Sequence, residues 1–327
     1  MPSISFDYQR RRHTIRFNNA DDNARALEEL DNFRIVQDRL REDPRPRLLG
    51  YEVPRWGGID VHIRWFTRVE AQLKRSMLQK AIETLAGDGQ FALPQNRLDV
   101  FFMPHGTSMG YVARTTLGAR RQAFLIYSDE TPDVAREARS LENNAHGLTY
   151  LVGYAVYLYY RPSFTVNAYQ AFVLTTLYHE LGHILHHLES PTSFFVLRSI
   201  NGLVGGMEEE QAGRHRIGSL IQTPYSQLRG FIDALEQVGY GVSTYASDKF
   251  IEYVSEVFSG LMMGVPFSDE TITIYQALGG FLPDNNVRHR RTRNAFHEFL
   301  YGCRHTPQTR SFNRDRRLGP GTLRGLM

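Results

Sequence analysis

Apolar residues recur along the chain with two periods, and the places where the period changes outline its organisation. Alternation over residues 4–18 predicts a short strand or hairpin. Between Asp21 and Glu42, Leu27, Leu30, Phe33, Ile35 and Leu40 fall on an amphipathic helical pattern, which Pro44 and Pro46 then stop. From Gly58 the pattern predicts a strand over Ile59–Phe66, a helix over Val69–Ala86, and strands near 97–103, 110–116 and 122–128. Turn residues at Pro104-His-Gly and at Gly118 separate those strands. A long apolar helix follows over about 167–189, closed by Ser190-Pro191. After a looser segment, helices are expected near 225–238, 248–263 and 285–301. Strands leading into a helix, with further helices behind, indicate an α+β fold. The chain divides into an N-terminal extension (1–50), a main domain (51–303) and a basic tail (304–327).

Composition narrows the class without naming an activity. Of 327 residues, 42% are hydrophobic and 22% charged, which reads as globular rather than disordered. The formal net charge of +3 demands neither a nucleic-acid nor a membrane partner. The single cysteine, Cys303, excludes an internal disulfide and a cysteine-built metal site. Arg10, Arg11 and Arg12 lie near the start with no apolar segment behind them, so no secretory signal is expected. The apolar stretch Leu148–Tyr160 is too short to span a bilayer. A soluble protein is therefore expected, cytoplasmic or exported without a cleaved signal. The run Val287-Arg-His-Arg-Arg-Thr-Arg lacks an aromatic platform and reads as a solvated basic helix start, so no specific nucleic acid is expected.

The chemistry lies in the long apolar helix. It contains His179-Glu180-Leu181-Gly182-His183, and residues four apart on a helix share a face. Two imidazoles so placed can converge on one tetrahedral Zn²⁺, with Glu180 beside them to take a proton from water. Leu174, Leu177, Tyr178, Leu181, Leu185 and Leu188 form a stripe that anchors this helix in the core. Two packing histidines in a core helix are the plainer alternative. That alternative does not explain Glu180, a costly residue to bury, within an apolar run. His187 extends the histidine row but lies roughly 12 Å along the axis from His179, at about 1.5 Å per residue. Neither it nor Glu189 can share an ion with His179. His186 and His187 are expected at the surface or the rim of the site. His62, His105, His146, His215, His289, His297 and His305 are isolated and expected to be structural.

A third ligand must come from elsewhere. The expected helix Asp248–Met263 carries Glu252-Tyr-Val-Ser-Glu256, whose carboxylates share a face, while Ile251, Val254, Phe258 and Leu261 form a buried stripe. Either carboxylate can approach the metal on spacing alone. The ungapped stretch from Phe231-Ile-Asp to Glu252-Tyr-Val-Ser-Glu-Val-Phe258 resembles the C-terminal part of the catalytic domain of the anthrax lethal factor family. The secreted Pro-Pro endopeptidases share that gluzincin architecture. The resemblance covers about 175–188 and 231–258, and the interval between the two blocks is longer than the family's, with the excess between Pro191 and Ser226. It implies a zincin-like α+β catalytic domain over 51–303, with a twisted sheet packed on the helix that carries His179. It implies one catalytic Zn²⁺ held by His179, His183 and Glu252. Glu256 would orient His179, and Tyr245 would donate its hydroxyl to the tetrahedral intermediate. The implied activity is endopeptidase cleavage of a protein or peptide substrate, as in a toxin or injected effector.

Other readings compete with it. Intracellular peptidases that cleave a repressor also carry a His-Glu-Leu-Gly-His-Ile-Leu-His sequence, but usually place the third ligand much closer to the histidines. A catalytically inactive zinc-binding protein is a further alternative. Structural zinc sites are usually closed by four ligands and rich in cysteine, which this chain lacks near the motif.

Overall fold

The computed structural model describes residues 3–17, 47–68, 71–86, 93, 96–104, 113–117, 122–128, 168–201, 223–242, 246–247, 250–263 and 267–283. The first alternating run forms a hairpin of β1 (Ser3–Tyr8) and β2 (Arg11–Arg16), paired antiparallel from Ser3↔Arg16 to Tyr8↔Arg11. Gln9 and Arg10 make the two-residue turn with φ of 49° and 62°, the sense that matches strand twist. Alternation puts Ile4, Phe6 and Ile15 on the buried face. That face meets α4 (Tyr225–Tyr240), where the Phe6 ring stands edge-on to Phe231 at 5.1 Å. The Arg16 amide donates to Thr223 Oγ1, just ahead of α4, at 2.7 Å.

A second sheet comprises β3 (Gly50–Glu52), β4 (Arg55–Trp56), β5 (Ile59–Trp65), β6 (Arg97–Pro104), β7 (Ala113–Leu117) and β8 (Gln122–Ser128). Its order is β3-β5-β6-β8-β7, with β4 also beside β5. β5, β6 and β8 run parallel, β3 and β4 lie antiparallel to β5, and β7 is an antiparallel edge strand on β8. The parallel step from β5 to β6 needs a crossover, supplied by the helix α1 (Ala71–Ala86). Ile59, Val61 and Ile63 of β5 and Leu98, Val100 and Phe102 of β6 alternate onto one face. They share a core with Leu78 and Ile82 of α1 and with Leu177 and Leu181 of α2 (Ala168–Glu189). On the opposite face Arg64 and Arg97 hold Asp99 at 2.9 and 2.8 Å. Burial pushes the Asp99 carboxyl up, but hydrogen bonds from Arg97 and Arg64 outweigh it and hold the group below the usual range.

The helices complete a mixed α+β arrangement. α2 lies against α1, the edge strand β7, α3 (Pro191–Asn201) and α5 (Phe250–Met263). Ser190-Pro191 does end α2, but it also begins α3, which the sequence pattern does not announce. Proline at the first helical position forfeits only an amide that has no partner there anyway. The Phe194 amide closes the first turn onto the Ser190 carbonyl at 3.0 Å. β3, β4 and α6 (Asp269–Ala277) are likewise additions to the expected elements. Ser268 caps α6, its hydroxyl accepting from the Thr271 amide at 3.2 Å, with Asp269 and Glu270 in the favourable first turn. The helices expected over 21–42 and 285–301, the apolar stretch 148–160 and the basic tail lie outside the described residues. Among the described residues, no helix is long and apolar enough to cross a membrane.

Candidate metal centre

Two helices build the site. From Ala168 to Tyr178 the α2 sequence holds no charged residue, and its Leu174, Leu177, Tyr178 and Leu181 side chains are buried. Burial on these sides holds His179 and His183, one turn apart, toward α5. α5 is apolar almost throughout, yet Glu252, Ser255, Glu256 and Ser259 recur at helical spacing and form one polar stripe. The stripe is spent on α2. Ser259 donates to the Thr175 carbonyl at 2.8 Å, and Ser255 Oγ lies 2.8 Å from His183 Nδ1. Glu256 Oε1 lies 2.9 Å from His179 Nδ1.

Gly182 permits this approach. A Cβ there would stand 3.1 Å from the Ser255 Cα and 3.0 Å from the Phe258 ring. A larger residue would meet the α5 backbone, which would have to give by a few tenths of an ångström.

One carboxylate oxygen, Glu252 Oε2, lies 2.9 Å from both His179 Nε2 and His183 Nε2. The two rings stand nearly perpendicular, at 85°, with centroids 4.9 Å apart. The three donor atoms lie within 4.8 Å of one another. A tetrahedral ion with bonds of about 2.0–2.1 Å separates its ligand atoms by roughly 3.3 Å, a spacing between the two 2.9 Å contacts and the 4.8 Å that bounds the set. Two imidazoles and a carboxylate are also the donor set that zinc takes. His179, His183 and Glu252 therefore form a group that could hold a metal ion.

The electrostatics are those of a tightly coupled buried cluster. Burial acts to lower the His179 pKa, but hydrogen bonds to Glu252 and Glu256 and their charges hold it well above its usual value. Burial acts to raise Glu252, but the charge of His183 and the bonds from both imidazoles hold it well below the usual carboxylate range. Glu256 is 1% exposed, and its bond leaves His179 Nε2 directed at the triad.

The structure places the remaining expected residues unevenly. Glu180 lies half-buried on α2 between the two histidines. Tyr245 lies outside the described residues. Glu189 is exposed at the end of α2, away from the triad. His186 and His187 do not sit at the surface or rim: both are buried. The chain beyond α2 folds back over them. Both rings meet Phe194 of α3 edge-on, and His186 Nε2 donates to the Leu278 carbonyl after α6 at 3.0 Å. Burial, then the nearby His183 charge, pushes His186 down to about 3, so it is neutral at ordinary pH. His62 lies on β5, its Nδ1 2.6 Å from the Tyr51 hydroxyl.

Ser255 contacts a triad histidine although the sequence does not single it out. Its one signal was a place three residues after Glu252 on the same helical face. Compared with protein-family models, curated proteins and solved structures, the chain gives no match.

Proposed function

We propose that this protein is a zinc-dependent endopeptidase of zincin-like fold. The observation that carries the reading is the convergence of His179 and His183 with Glu252, at 2.9 Å each, with Glu180 between the histidines on the same helix. Among the described residues three ligands converge, the number that catalytic zinc takes while keeping one position for water, whereas structural sites are closed by four. Bound zinc would supply Lewis acidity, lowering the pKa of water and polarising the scissile carbonyl.

The chain's own groups would do the rest. Glu180 would take the proton from the attacking water and pass it to the leaving amine. Glu256, through its bond to Nδ1, would keep the His179 ring in one orientation. Among the described residues β7 is the edge strand and lies against α2, so its outer side is where extended substrate would pair. The segment 231–258 resembles the lethal factor family, and that resemblance supplies Tyr245 as the hydroxyl for the developing oxyanion.

The test is a kinetic comparison of three variants on one cleavable peptide. Tyr245→Phe should lower kcat roughly 10²-fold or more with KM nearly unchanged, the usual effect of removing one oxyanion donor. Glu180→Gln should be at least as damaging. Glu256→Gln should cost about 10–100-fold in metal affinity or activity. Full activity in Glu180→Gln would remove the proposed base and with it this mechanism.

A further inference from the structure

His179 and His183 face the triad alike, but different chemistry stands behind them. Behind His179 is a carboxylate, which can only accept a hydrogen bond. Behind His183 is the Ser255 hydroxyl, fully buried and 2.8 Å from Nδ1. A hydroxyl can donate or accept. Ser255 can therefore keep its bond to Nδ1 by turning one O–H, whichever role that nitrogen takes.

We infer that Ser255 is a positioning residue for the metal ligand His183, fixing the direction of its ring through the 2.8 Å contact at Nδ1. This rests on the zinc-centre reading above and deepens it. Ser255 touches neither substrate nor ion; it acts through His183. Gly182 serves the same contact, because the close approach it permits brings the Ser255 backbone against α2.

Ser259 provides an internal control. It is equally buried, lies one turn further along α5, and also makes a 2.8 Å bond to α2, but to the Thr175 carbonyl rather than to a ligand. Ser255→Ala and Ser259→Ala therefore each remove one buried bond between the same two helices, and only the first touches the centre. Zinc dissociation constants of the full chain should be measured by competition with a chromogenic chelator. Urea midpoints of the metal-free forms should be measured in parallel.

Ser255→Ala should weaken zinc binding about 10-fold or more, the usual scale for a group behind a metal ligand. Ser259→Ala should stay within about twofold of the parent while shifting the urea midpoint comparably. Ser255→Thr keeps the hydroxyl and should bind zinc more tightly than Ser255→Ala. Equal zinc affinity in the parent and Ser255→Ala, or equal losses in both alanine variants, would overturn the inference and leave the zinc centre standing. A parent chain that binds no zinc would overturn both.

Discussion

Glu252 sets one carboxylate oxygen between two imidazoles, and the centre depends on that shared position. Sequence spacing alone left Glu252 and Glu256 as equal candidates for the metal. The structure separates them: Glu252 meets both Nε2 atoms, whereas Glu256 meets only His179 Nδ1, on the far side of the ring. His183→Ala and Glu252→Ala should each lose the single zinc that the parent is expected to carry, measured by elemental analysis after dialysis. Full occupancy in Glu252→Ala would remove it as a ligand.

A second residue-scale prediction concerns His186, whose burial the sequence hid because its partners come from α3 and from the turn after α6. Its pKa falls to about 3 in the fold, while an exposed histidine titrates near 6.5. Unfolding therefore takes up a proton here between those values. His186 contributes stability that is complete above pH ~6.5 and is lost as pH falls, by up to about 1.4 kcal/mol per pH unit. His179 has a raised pKa and works in the opposite sense, but it is common to parent and variant. His186→Gln should flatten the stability-versus-pH curve of the metal-free protein between about pH 6 and 4.5, as read by urea denaturation. An unchanged slope would contradict the burial argument.

At the scale of elements, α2 and α5 were both legible, because each is long and has a clear apolar pattern with chemistry on one face. β3 and β4 were not, being too short for any period to register, and α3 and α6 were not either. α3 opens on a proline that reads as a stop, and α6 is announced mainly by its Ser268 cap. What spacing could not convey is how closely α2 and α5 approach, which Gly182 decides. Gly182→Ala would gain about 1 kcal/mol of helix propensity. Against that, the new methyl meets the Ser255 Cα at 3.1 Å, and backbone cannot rotate away. Overpacking of this kind typically costs about 1–3 kcal/mol. Gly182→Ala should therefore leave overall stability nearly level or lower, while zinc affinity falls about 10-fold or more through displacement of Ser255 and Glu252. An alanine variant with raised stability and undiminished zinc binding would show that the helices have room to spare.

For the whole molecule, the expected α+β class holds, and the N-terminal hairpin shares the core through Ile4, Phe6 and Ile15. Residues 1–50 read in sequence as an extension, because the hairpin and α4 are more than 200 positions apart and no local pattern links them. Phe6 is 3% exposed against Phe231, and removing a buried phenylalanine typically costs about 3–5 kcal/mol. Phe6→Ala should lower global unfolding stability on that scale, with one cooperative transition rather than loss of a separate N-terminal unit. The fold and the triad together support one proposal, that this chain hydrolyses peptide bonds by means of a metal. The most direct measurement is cleavage of a diverse peptide library by the full chain, with and without a zinc chelator, beside Glu180→Gln. Cleavage at defined bonds that stops with chelator, returns with zinc and is absent from Glu180→Gln is the result expected. Zinc-loaded, folded protein that cleaves nothing in the library, or cleavage that persists in Glu180→Gln, would contradict it.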